Sequence, residues 1–184
     1  DKLQRLLQLL AFQLGTEVSL AELGRQLGMS KNTIERYLDL LEKVFVIVRR
    51  SGFSRNLRKE VSKSHRYYFI DNGIRNALIK SFNPLKIRDD IGQLWENYVL
   101  MERMKKQEYL RHNVNAFFWR TYDKKEIDLV EESQEGLAGY EVKWTQSRTK
   151  PPKDWTKAYP EALFEVIHQD NYLRFIGSPG LAGS

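Results

Sequence analysis

The stretches Glu126-Ile127-Asp128-Leu129-Val130 and Tyr140-Glu141-Val142-Lys143-Trp144 decide how this chain is read. Both interleave apolar, β-favouring residues with charged ones, the pattern of a strand with one polar edge or face. Residues two apart on a strand share a face. Glu141 and Lys143 therefore point one way and Val142 the other. If the two strands pair, Asp128 can lie opposite Glu141. Two carboxylates at close range form a hard-oxygen site suited to magnesium or manganese, and the Val142 carbonyl could complete the inner shell. An adjacent lysine can orient or activate a water and steady charge on a phosphoryl group. Metal-assisted phosphodiester hydrolysis needs those parts. Asp128 and Glu141 are thus candidate metal ligands, and Lys143 a candidate catalytic residue beside them. Glu-Val-Lys alone carries little, because alternating charges commonly just solvate a strand face.

The neighbouring segments read as an α/β (α+β) domain. Strands are expected over 115–120, 126–131 and 139–144, with short connections at Asp123-Lys124-Lys125 and Glu135-Gly136. A long helix over 91–108 precedes them. Lys150-Pro151-Pro152 breaks the chain, a helix is expected over 154–159, and strands over 164–167 and 173–176.

Upstream, Leu3, Leu6, Leu7, Leu10 and Leu14 fall on one helical face. Ser19 starts a second helix that ends at Gly28, and Ser30 caps a third with Ile34, Leu38 and Leu41 inward. The tight glycine turn between the last two gives a helix-turn-helix. A strand over 45–48, a basic stretch over 49–66, a returning strand over 67–70 and a short helix capped by Asp71 follow. Helices leading into a basic hairpin make a winged helix over 1–75, with the second domain over 76–177. The tail 178–184 is read as flexible, and from the aspartate at position 1 the chain is expected to be a fragment of a longer protein.

Charge separates the two parts. Residues 1–75 hold 14 Lys+Arg against 8 Asp+Glu, and the other 109 residues hold 16 of each, so the net +6 sits in the first part. A localised basic excess suits a polyanion, because cationic side chains release counterions when they meet phosphates. Lys31, Asn32 and Arg36 lie at the start of the third helix, where recognition helices meet base edges. Arg49, Arg50, Arg55 and Arg58 lie in the wing. These seven are the candidate nucleic-acid contacts, with double-stranded DNA as the expected partner. The absence of cysteine excludes disulfides, zinc–thiolate sites and thiol nucleophiles. It suits a reducing compartment, and the expected location is cytoplasmic, with no membrane partner.

The Asp128…Glu141-Val142-Lys143 run resembles the PD-(D/E)XK nuclease superfamily, so the second domain is expected to be a restriction-endonuclease-like mixed sheet flanked by helices. Members of that superfamily often carry a glutamate on an upstream helix, and the resemblance implies that place for Glu96. The set Tyr-Tyr-Phe-Ile-Asp-Asn-Gly at 67–73, Gly-x-x-x-Glu-Asn at 92–97 and Phe118-Trp119-Arg120 extends the likeness. Together they resemble the C-terminal region of a family of bacterial and archaeal AAA+-type ATPases. That likeness implies an upstream ATPase module as partner. No Gly-x-x-x-x-Gly-Lys-Ser/Thr occurs in these residues, so no P-loop is expected in them. Two functions stand open: a DNA-interacting, magnesium- or manganese-dependent nuclease-like module, or a catalytically inactive scaffold that binds nucleic acid or a partner protein and regulates the ATPase.

Overall fold

The computed structural model describes residues 2–55 and 64–177, which form two compact units. The architecture is mixed α+β, as expected, with a two-stranded and a four-stranded sheet.

The first unit comprises residues 1–50 and 64–98. It holds helices α1 (Lys2–Phe12), α2 (Leu20–Leu27) and α3 (Lys31–Lys43), strands β1 (Ile47–Ser51) and β2 (His65–Phe69), helix α4 (Asn72–Leu78), and the first part of α5 (Ile91–Tyr109). The caps fall where the polar residues require them. Ser19 Oγ accepts from Glu22 N at 3.3 Å and Ser30 Oγ from Thr33 N at 3.1 Å. Gly28 closes α2 at φ 60°, the left-handed conformation that costs glycine least. Gly24 is required by packing, since a Cβ there would lie 2.6 Å from the Met29 carbonyl oxygen. Leu6, Leu10, Leu14, Leu23, Ile34, Leu38 and Ile47 then make one core with Tyr67, Phe69 and Leu94.

The boundary expected at residue 75 falls inside the first compact unit, which runs on through Tyr98 into α5. Side chains of α4 and α5 explain this. Asn97 brackets the Phe69 backbone, its Oδ1 accepting from Phe69 N at 2.9 Å and its Nδ2 donating to Phe69 O at 2.8 Å. Arg75, 3% exposed, donates to the Ala11 carbonyl at 3.0 Å and pairs with Asp90. The first strand also starts later than position 45. Phe45 turns at φ 56° and lies outside β1.

The second unit comprises residues 51–63 and 99–184. Its sheet runs β3 (Asn115–Arg120), β4 (Glu126–Ser133), β5 (Gly136–Val142), β6 (Leu163–Ile167) in that spatial order. The first three strands are antiparallel and β6 joins β5 in parallel through α6 (Lys153–Ala158). One face packs Trp119, Ile127 and Val130 against Phe53, Trp155 and Tyr159. On the other, buried Glu131 accepts from Arg103 at 2.9 and 2.8 Å and from Gln107 at 2.6 Å. The Arg103 guanidinium lies 4.4 Å from the Phe175 ring centre. The strand expected over 173–176 is a correction: Tyr172–Ile176 is a short helix, α7. Its carbonyls at Arg174 and Phe175 accept from Lys106 Nζ at 3.2 and 3.1 Å, which an edge strand would not present in this way.

Candidate functional site

Strand β4 is not regular where Asp128 sits. Phe117 pairs with Val130 and Trp119 with Ile127, so the single residue Phe118 opposes both Asp128 and Leu129. This β-bulge explains why Ile127 and Val130, three apart, share one aromatic core. Bulges re-aim a side chain at the cost of a ladder bond. The consequence here is that Asp128 Oδ2 accepts from Val142 N at 2.8 Å. The Asp128 carboxylate thus ends on the backbone between Glu141 and Lys143, one step beyond the last paired rung, Leu129 with Tyr140.

On β5, a Cβ at Gly139 would meet Trp155 and Ile127. Glu141 and Lys143 lie two and four residues further on, so alternation turns them to that same face. Lys143 Nζ pairs with Glu141 Oε1 at 2.6 Å. Asp128 and Glu141 are 7% and 8% exposed, whereas the Lys143 side chain is 43% exposed. Of these two nearly buried carboxylates, Glu141 pairs with a cation that can still reach solvent, and Asp128 is bonded to the backbone between them. The structure brings Asp128, Glu141 and Lys143 together.

Glu96 belongs to the first unit. A glutamate within an apolar run needs a polar partner, and the Tyr68 hydroxyl is one, donating to Glu96 Oε1 at 2.7 Å. Its place in a catalytic set rests on the family resemblance alone. Among the described residues, no three His, Asp or Glu side chains come together as a ready-made metal cage. The protein donors that the structure places here are the carboxylates of Asp128 and Glu141. That set fits magnesium, which keeps several waters and is commonly held through one or two carboxylates.

The structure adds one residue that sequence reasoning misses. Val142 pairs with Ile167, and Lys143 N donates to Ile167 O at 2.9 Å. His168 is the next residue of that parallel register and stands beside Lys143. Its Nδ1 accepts from Asp170 N and lies 3.3 Å from Asp170 Oδ2. With three histidines scattered along the chain, spacing holds no signal for it. A cleft of about 680 Å³ lies elsewhere, at the β4–β5 turn, lined by Glu132, Glu135, Tyr159 and Glu161 among others. It is not the carboxylate site.

The expected nucleic-acid contacts divide. Lys31, Asn32 and Arg36 are exposed on α3, and Arg50 is half-buried. Arg49 is engaged by α3 itself, with Asp39 at 3.4 Å and Glu42 at 3.3 Å. Arg55 pairs with Glu132 at 2.5 Å within the second unit. Arg58 lies outside the described residues. Burial, and then Arg49, hold the His65 imidazole below its ordinary value, so it is mostly neutral at pH 7 and offers a phosphate little charge. Burial also pushes the Tyr67 phenol up to about 12, keeping it a neutral anchor under Arg49.

Residues 1–85 match a model described as a domain of unknown function, DUF8612, and residues 91–174 match another domain of unknown function, DUF4143. The chain is 29% identical over 147 residues to the uncharacterized protein Rv2008c of Mycobacterium tuberculosis and, equally, to the uncharacterized protein Mb2031c of Mycobacterium bovis. Each match covers 79% of this chain and 32% of the relative. The chain thus spans about a third of the length of these curated relatives. No solved structure matches it. No described helix is long and apolar enough to cross a membrane.

Proposed function

We propose that the second unit is a nuclease-like, magnesium- or manganese-dependent phosphodiesterase module and that the first is a winged helix contacting DNA. One observation carries the catalytic half: the Asp128 carboxylate reaches the Val142 amide and so stands at the Glu141–Lys143 pair. Asp128 and Glu141 would hold the ion, with the Val142 carbonyl as a third donor. Bound there, the ion supplies Lewis-acid polarisation of a phosphoryl oxygen and a lowered pKa for a bound water. Lys143, half in solvent, would move from Glu141 toward the phosphate and offset its charge. The bulge at Asp128 and Leu129 sets the carboxylate's aim, and the Trp119–Trp155 core on the same sheet keeps that aim fixed.

The DNA-contacting half is supported by the exposed Lys31, Asn32 and Arg36 at the start of a Ser30-capped helix. Attachment to an upstream AAA+-type ATPase, in the same polypeptide and in the cytoplasm, rests on the resemblance of the sequence. A second reading has its own observation. Lys143 already neutralises Glu141 and the Val142 N–H already satisfies one Asp128 oxygen, so each carboxylate has a partner without an ion. This is what a non-catalytic scaffold regulating the ATPase would show.

Cleavage of an end-labelled DNA duplex separates the readings. The nuclease reading expects magnesium-dependent cleavage that is lost in Asp128→Asn and Glu141→Gln and slowed in Lys143→Ala. Cleavage that persists in both carboxylate variants, or no cleavage by the parent with either metal, refutes it in favour of the scaffold.

A further inference from the structure

Summing charge over the whole second half of the chain hides a local concentration. From 143 to 157 there are Lys143, Arg148, Lys150, Lys153 and Lys157 against Asp154 alone. Asp154 is already taken, since Lys125 Nζ binds its Oδ2 at 2.5 Å. Arg148, Lys150, Lys153 and Lys157 are all exposed or half-exposed on the surface. Among the described residues none of these four is paired with a carboxylate. The wing contrasts with this, because Arg49 and Arg55 have their charge met by Asp39, Glu42 and Glu132.

Position adds to charge. The segment leaves β5 directly after Glu141-Val142-Lys143 and ends in α6, whose Trp155 packs on the sheet face to which Glu141 and Lys143 turn. Its side chains between the site and the helix include Thr145, Gln146, Ser147, Thr149 and two prolines. Cations set among small hydroxyl and amide groups suit phosphate oxygens, which accept from both. An anionic membrane surface would call for apolar side chains to insert beside the cations. Between Thr145 and Lys153 this segment presents none but the half-buried Pro151 and Pro152.

We propose that Arg148, Lys150, Lys153 and Lys157 form a nucleic-acid backbone-binding surface of the second unit, contiguous in the chain with the carboxylate site. It deepens the phosphodiesterase reading and rests on that reading for the identity of the polyanion. Binding at this surface needs no metal, so it can be measured with chelator present.

The test is fluorescence anisotropy of a labelled DNA duplex titrated with the full chain in EDTA, from about 50 to 200 mM salt. For Arg148→Ala/Lys150→Ala/Lys153→Ala/Lys157→Ala, the slope of log affinity against log salt should fall by about 0.9 for each phosphate that is no longer neutralised. Lys150→Arg/Lys153→Arg/Lys157→Arg, which keeps every charge, should retain the parental slope. Circular dichroism melting establishes that the quadruple variant stays folded, as surface positions allow. A parental slope in the folded quadruple variant overturns the proposal. So does sedimentation with phosphatidylglycerol vesicles that this variant abolishes while duplex binding is unaffected. The two readings fail separately. Slope loss with no cleavage by the parent sinks the catalytic reading alone, and Asp128-dependent cleavage with an unchanged slope sinks this one alone.

Discussion

The hydrogen bond from Val142 N to Asp128 Oδ2 allows the site to be tested without any ligand. Asp128 is 7% exposed and the bond measures 2.8 Å. Hydrogen bonds to a charged partner contribute about 1.5–3 kcal/mol, neutral ones about 0.5–1.5 kcal/mol. Asp128→Asn keeps an acceptor oxygen in place and should cost about 1 kcal/mol, the difference between those two ranges. Asp128→Ala removes the acceptor and strands the Val142 N–H, which adds a desolvation penalty of about 1–3 kcal/mol. The alanine variant should therefore be less stable than the asparagine variant by about 2 kcal/mol. For a chain of this size a kilocalorie shifts Tm by about 2–4 °C, so the two melts should differ by about 4–8 °C. The assay is circular dichroism melting of both variants and the parent in EDTA. Coincident Tm values for the two variants would mean that the Asp128 carboxylate does not hold Val142.

Two other outcomes follow from pairs within each unit. Arg103→Leu leaves Glu131 buried with only Gln107 and should destabilise by about 3–5 kcal/mol. Adding Glu131→Leu in the same chain should recover much of that loss, as read by urea midpoints; equal midpoints for the single and double variants would contradict it. In the first unit, the Arg88 guanidinium, with Arg75 beside it, holds the Asp90 carboxyl at about 2, below the usual 3.8. A depressed carboxylate stabilises the fold above its unfolded pKa and loses that contribution as pH falls through the folded value. Stability from Asp90 should thus be complete above about pH 4 and fall away toward about pH 2, by about 2 kcal/mol. Asp90→Asn should flatten the urea midpoint across that window, and an unaltered acid limb would count against the pairing.

Much of this is legible in the residues and some is not. Ser19, Ser30 and Asp71 announce their helices, because a side-chain oxygen at an N-cap does one job. Strand β3 is read at its observed bounds, since Phe117, Phe118 and Trp119 fill a sheet and are followed by a turn at Asp123-Lys124-Lys125. Tyr172-Leu173-Arg174-Phe175-Ile176 misleads because so short a run, mostly apolar, has no period that separates strand from helix. What makes it helical is tertiary: Lys106 on its carbonyls and Arg103 on the Phe175 ring. The Asp128–Glu141–Lys143 grouping can be read from strand alternation, but the bulge that aims Asp128 depends on pairing with β3. The partners of the wing's charges are hidden from the sequence for a related reason. Arg49 meets acids on a helix it packs against, and Arg55 meets Glu132, which is 77 positions away. Conversely, the basic run at 148–157 vanishes into a neutral sum for the second half of the chain.

Calorimetric titration of manganese into the full chain interrogates the carboxylate site itself, because metal binding comes before any question of substrate. The expected result is a single saturable site at up to millimolar metal, abolished by Asp128→Asn and by Glu141→Gln. It should be preserved in Lys143→Ala, where Glu141 is released from its pair at 2.6 Å. No binding by the parent at millimolar metal, or binding unchanged in both carboxylate variants, would contradict a metal-dependent site built on Asp128 and Glu141.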